Sequence, residues 1–208
     1  PLLREGRYAE LDKYMNQFQQ DFENGKRDDI NLMHLFRAFN DPNPSLEAKF
    51  TTWIAAYPKS YAAFEARAVY YEKAAYAARG GAYISQTPES RIAGMEAYLR
   101  KAVSDEEVAA HLTAKPILSY YNISRIAKLT GNRSVMKQML DDAIKVDPKN
   151  FIVRYKYMLS LQTRWGGSLE QMQKFRKQVQ DAGLTPDQLS YLDQMIAEEV
   201  SYLAQRSH

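Results

Sequence analysis

Three histidines, His34, His111 and His208, are the first residues to test for metal or acid–base chemistry, and they stand far apart in the chain. A zinc hydrolase sets two histidines four residues apart on one helical face, so that both imidazoles meet one ion. No HExxH run occurs here, and no carboxylate lies at a telling interval from two histidines. His111 follows Glu107 by one helical turn, a spacing that mostly makes surface pairs. Glu198 and Glu199 are adjacent on a helical segment, where neighbours diverge by about 100° and cannot face one site. Gly80-Gly81 and Gly166-Gly167 match neither standard phosphate-loop spacing and sit where helices end. There is no GxSxG run and no cysteine, which removes a nucleophile elbow, thiolate metal sites and disulfides. The expectation is a non-enzyme with no catalytic residue, no cofactor and no metal.

The unusual chemistry lies in 15 tyrosines with arginines interleaved. Trp53, Tyr57, Tyr61, Arg67, Tyr70 and Arg79 concentrate in one stretch. Two readings are open. A phenol fills a core gap while its hydroxyl finds a partner, which makes the cluster inter-helix packing with Arg67 in a semi-buried network. Alternatively it lines a groove, since tyrosine and arginine dominate binding hot spots and arginine forks onto carboxylates.

The elements that carry these residues are helical almost throughout. Tyr8 to Glu23 repeats Leu11, Tyr14 or Met15, and Phe18, and Asn24-Gly25 ends it. Ile30, Met33, Phe36 and Phe39 mark a second helix, broken by Asn40 to Pro44. Asn43 caps a third, with Pro44 in its first turn, running to Tyr57-Pro58. Ser60 opens a helix with two apolar stripes, one through Tyr61, Phe64, Ala68, Tyr71, Ala75 and Ala78, the other through Ala63, Tyr70, Ala74 and Ala77. A helix apolar over so wide an arc is packed between neighbours. Thr87-Pro88 starts another, and the capping box Ser104 to Glu107 predicts a separate helical segment there. Further helices are expected over 116–130, from Gly131-Asn132 to Asp147-Pro148, over 151–164, from Ser168, and from Thr185 onward. No strand pattern is present. The opening Pro1 to Gly6 reads as the tail of a helix, which predicts chain before it.

Net charge is +3, too mild to imply nucleic acid or a membrane. Residues 132–182 hold ten Lys or Arg against five Asp or Glu, and the chain turns acidic after Gly183. No apolar run approaches the roughly 20 residues of a membrane helix. A cytoplasmic location is expected, or a periplasmic one if a leader was removed.

The segment from Pro116 to Pro148 resembles a tetratricopeptide repeat. Ser124 and Ala127 stand at the small positions of the first helix, Gly131 at the turn, Leu140 and Ala143 in the second helix, and Pro148 behind it. Phe151 to Thr185 has the same layout with a stretched turn at Trp165-Gly166-Gly167. Trp53 with Tyr57-Pro58-Lys59-Ser60-Tyr61, then Arg67, Tyr70 and Arg79-Gly80, resembles a bacterial domain family of unassigned function over about Leu32 to Gln180. The resemblance implies an all-α, tetratricopeptide-like α-α superhelix of stacked antiparallel helix pairs. It is read as one domain over 1–208, with sub-units 1–114 and 115–208. In that register Tyr121, Arg125, Tyr155 and Leu159 face a concave wall.

The expected function is a non-catalytic protein-interaction module that holds a protein or peptide. The candidate contacts are Tyr57, Tyr61, Arg67, Tyr70, Arg79, Tyr121, Arg125 and Tyr155. One alternative is a bacterial immunity or effector-accessory protein that masks a toxin. The other is RNA binding through Arg133, Lys137, Arg154, Lys156, Lys174, Arg176 and Lys177, although the charge balance favours a solvated basic face over nucleic acid.

Overall fold

A computed structural model describes residues 1–81 and 86–206. His208 lies outside the described residues. The described residues are helical, without a strand. They form α1 (Leu2–Glu5), α2 (Tyr8–Glu23), α3 (Asp29–Phe36), a 3₁₀ turn (Arg37–Phe39), α4 (Leu46–Ala56), α5 (Tyr61–Arg79), α6 (Glu89–Ala110), α7 (Ile117–Leu129), α8 (Arg133–Val146), α9 (Ile152–Ser160), a second 3₁₀ turn (Thr163–Trp165), α10 (Leu169–Gln178) and α11 (Pro186–Arg206). The chain divides into two compact units, Pro1–Asn122 and Ile123–His208.

In the first unit, α5 is the axis. Ser60 caps it by accepting the Ala63 N–H at 3.1 Å, and Asn16 from α2 donates to the same hydroxyl oxygen at 2.9 Å. The expectation of a helix enclosed by neighbours holds: α2, α3, α4 and α6 all pack on α5. The pairs Ala78–Gly94, Tyr71–Lys101 and Arg67–Asp105 progress in opposite directions along α5 and α6, so the two helices are antiparallel. An aromatic chain fills the space between α3, α4 and α5. Phe36 meets Tyr61 edge-on at 6.0 Å, Phe39 meets Phe50 at 5.8 Å, and Phe50 meets Tyr70 at 5.2 Å. Glu23, at the end of α2, accepts the Thr113 hydroxyl and the Ala114 and Lys115 N–H groups, tying α2 to the turn before α7.

The separate helix expected at Ser104 does not form, because α6 runs unbroken from Glu89 to Ala110. Ser104 stays exposed inside the helix. Asp105 turns to Arg67 and Glu106 turns inward, so tertiary pairing uses two carboxylates that would otherwise cap a helix start. The third helix starts at Leu46 rather than Pro44, because Asn43 accepts the Ser45 N–H and hydroxyl in a tight turn first.

In the second unit, α8 packs on α9, and α10 on α11. Met136, Leu140, Ala143, Ile152, Met158, Met172 and Leu192 form its interior. The caps read from sequence are in place. Asn132 accepts the Val135 N–H, Ser168 accepts the Gln171 N–H, and Thr185 and Gln188 exchange bonds reciprocally. Gly131 adopts φ +68°, the left-handed turn its position demands. The helix expected over 151–164 stops at Ser160. The buried Glu199 carboxylate takes both the N–H and the hydroxyl of Thr163, which pulls the chain out of helical register. Gly167 follows, and a Cβ there would overlap the Leu161 carbonyl. Gly167→Ala should therefore cost about 1–3 kcal/mol by forcing the turn open. Urea denaturation followed by circular dichroism checks this, and an unchanged midpoint would refute the packing account of the turn.

Candidate functional site

Two groups of polar side chains are candidates, one inside the first unit and one on the surface of the second. The inner group is built by α5, α6 and the start of α7. Glu65 and Glu106 are 0% and 1% exposed. The Ser119 hydroxyl donates to Glu65 Oε2 at 2.5 Å, and Asn122 Nδ2 donates to Glu65 Oε1 at 2.8 Å and to Glu106 Oε1 at 2.9 Å. Glu106 Oε2 meets no donor.

The electrostatics agree. Loss of water pushes Glu106 well above the carboxylate range, and the charge and hydrogen bond of Glu65 push it further. Burial also raises Glu65, against the opposing pull of hydrogen bonds from Glu106, Ser119 and Asn122. Two carboxylates this close in a dry interior cannot both ionise, so the pair holds one proton, mainly on Glu106. The Tyr61 hydroxyl faces the pair without forming a regular hydrogen bond; burial first, then the Glu65 and Glu106 charges, keep it neutral. Such a pair has the composition of a general acid–base dyad, but both carboxyls are buried in the core.

Arg67 borders this group. Its Nε and Nη2 fork onto Asp105 at 2.7 and 2.8 Å, which is the semi-buried network expected of it. Lys101 and the Tyr71 hydroxyl both donate to Glu47, at 2.8 and 3.0 Å, extending the polar seam to α4.

The sequence-derived site residues scatter. Tyr61, Tyr70 and Tyr121 are buried. Tyr57 is half-buried at the end of α4, and Arg79 is half-buried with Nε donating to the Gly80 carbonyl at 3.3 Å. Tyr121 belongs to the first unit; Arg125, Tyr155 and Leu159 are half-buried in the second. Tyr155 stacks on Phe151 at 6.2 Å and meets the exposed Tyr191 edge-on at 5.6 Å. The proposed basic stripe is broken. Arg154 and Lys156 are buried, Lys137 pairs with Asp141 at 2.6 Å, and Arg176 pairs with Asp193 at 2.7 Å.

The surface group surrounds Trp165, which is 43% exposed. Lys128 Nζ lies 3.3 Å from the centre of its ring, and Arg133 Nη2 donates to the Trp165 carbonyl at 2.7 Å. Arg164 donates to Gln162 Oε1 at 2.9 Å and stands 5.9 Å from the Tyr202 ring, over which Arg206 also lies at 5.5 Å. Desolvation, then the charge of Arg164, hold the Lys128 ammonium below the usual lysine range. None of these four cations has a carboxylate within salt-bridge distance among the described residues. Sequence reasoning missed the group because its members come from α7, α8, the second 3₁₀ turn and α11. Only the exposed tryptophan beside Arg164 was a local signal.

Among the described residues no helix is long and apolar enough to cross a membrane, and no cluster of three or more His, Cys, Asp or Glu could hold a metal. The fold and its polar groups define an all-helical protein with a sealed carboxyl pair and a cationic, aromatic surface. The chain belongs to DUF4034, a family described as a domain of unknown function, whose model matches residues 1–145. The match begins earlier and ends earlier than the Leu32–Gln180 span expected from sequence. No curated protein and no solved structure matches the chain.

Proposed function

We propose that this protein is a non-catalytic interaction module whose partner protein docks on the second unit at the surface around Trp165. The observation that carries the reading is a set of four cations, three over the Trp165 and Tyr202 rings and Arg133 on the Trp165 carbonyl, with neutral acceptors only among the described residues. Packing like charges together without carboxylates is unfavourable in the free protein, and a bound partner relieves it. An exposed tryptophan flanked by arginine is also the composition of an interface centre. The acid–base-competent pair, Glu65 and Glu106, is shut inside the first unit, which fits a structural task for it.

The helices of the second unit support a tetratricopeptide-like reading. Ser124 and Ala127 are buried at the small positions, Gly131 makes the left-handed turn, and Met136, Leu140 and Ala143 are buried on α8 before Pro148. In that reading α8, the second helix of one repeat, packs on α9, the first helix of the next, and the Trp165 turn follows α9.

Photocrosslinking in the native cell tests the docking surface. A benzoylphenylalanine at Trp165 should give one discrete protein adduct, and the same probe at Tyr14, exposed on α2, should give none. Equal labelling from both positions, or none from Trp165, contradicts the proposal.

A further inference from the structure

Resting on that reading, we infer that the occupant of the Trp165 surface is an acidic, extended segment of the partner, rich in Asp and Glu. Charge is the first reason. Lys128, Arg133, Arg164 and Arg206 supply four positive charges, and Glu199, which lies next to Arg164 through Thr163, is buried and committed to Thr163. Arg133 and Arg164 are exposed, and each is tied down by a single neutral acceptor group. Unspent guanidinium N–H groups suit the paired oxygens of a carboxylate, which guanidinium forks match bidentately.

The ring geometry argues against a nucleic-acid base. Sequence-tolerant binding of single strands relies on bases stacking on open aromatic faces. Here Lys128 occupies a face of Trp165, and Arg164 and Arg206 both crowd Tyr202. With a cation already seated on each ring, the charges lead the recognition, and the exposed part of Trp165 is left for apolar contact with the same segment. The rings instead fix where the charges stand, because a cation held over an aromatic face loses rotational freedom before any partner arrives.

The experiment uses the full chain and a fluorescent Glu-rich peptide, with a Lys-rich peptide and oligouridylate as comparisons. Anisotropy should show binding to the Glu-rich peptide alone, weakening as salt rises. Lys128→Glu with Arg164→Glu should weaken it roughly tenfold or more. Lys174→Glu with Lys177→Glu makes the same charge change at exposed positions of α10 and should leave it within about threefold. Circular dichroism confirms that both pairs of variants remain folded. Equal losses from the two variants would overturn the inference in favour of net charge alone, and tighter binding to oligouridylate would overturn it in favour of RNA. If the Trp165 crosslink appears and the Glu-rich peptide does not bind, the docking surface stands and the acidic occupant is wrong.

Discussion

Glu106→Gln should leave the protein as stable at pH 7 as the parent, or more so, while Glu65→Ala should cost about 3–5 kcal/mol. The asymmetry follows from where the shared proton sits. Burial and the neighbouring Glu65 charge keep Glu106 neutral, and a glutamine reproduces that uncharged shape. Glu65 is the acceptor for Ser119 and Asn122, and its removal leaves buried donors with nothing to bind. Glu65→Gln falls between, because its amide must point a donor at one of those donors.

The same proton sets a pH dependence. The folded Glu106 carboxyl is raised well above 4.5, whereas the unfolded one titrates near that value. Below pH 4.5 both states hold the proton and the contribution is intact. As pH climbs, the unfolded chain releases it and the folded protein retains it, so stability falls by up to about 1.4 kcal/mol per pH unit until the folded group ionises. Urea titrations between pH 5 and pH 9 should show this decline in the parent and a flatter profile in Glu106→Gln. Identical slopes would mean that the pair does not share a proton.

Trp53→Ala is the second large effect, expected at about 3–5 kcal/mol. The indole is 0% exposed, lies 6.0 Å from Phe39, and donates through Nε1 to Asp12 at 2.9 Å, joining α4 to α2. Its loss leaves a cavity and frees a carboxylate near the core. Trp53→Phe should recover most of the volume but not the hydrogen bond, at roughly half the cost. A midpoint shift in urea worth under 1 kcal/mol for Trp53→Ala would contradict this account of the first unit's core.

Local signals placed the helices because caps and terminators act within a few residues. Ser60, Asn132, Ser168 and Thr185 open helices and Gly131 makes the turn before Asn132. Those same rules failed at Ser104, where a capping pattern sat on a helix face that another helix wanted. Glu65 and Glu106 were invisible for a related reason: a glutamate in a helical pattern ordinarily marks solvent. The available clue was that Glu65 and Glu72 interrupt α5, a helix otherwise apolar nearly all round, and both prove buried. Arg67, open from sequence to either a semi-buried network or a binding groove, forks onto Asp105. The basic stripe failed because sequence distance cannot separate Arg154, turned in to the Asn150 and Pro148 carbonyls, from Arg164, turned outward.

The two indole N–H groups offer the most direct measurement, because Trp53 and Trp165 are the only tryptophans and sit in opposite environments. In a ¹H–¹⁵N spectrum, titration with a Glu-rich peptide should move the Trp165 indole signal and leave the Trp53 signal in place. Movement of Trp53 alone would contradict the assignment of the docking surface to the Trp165 cluster, and movement of neither would contradict the acidic occupant.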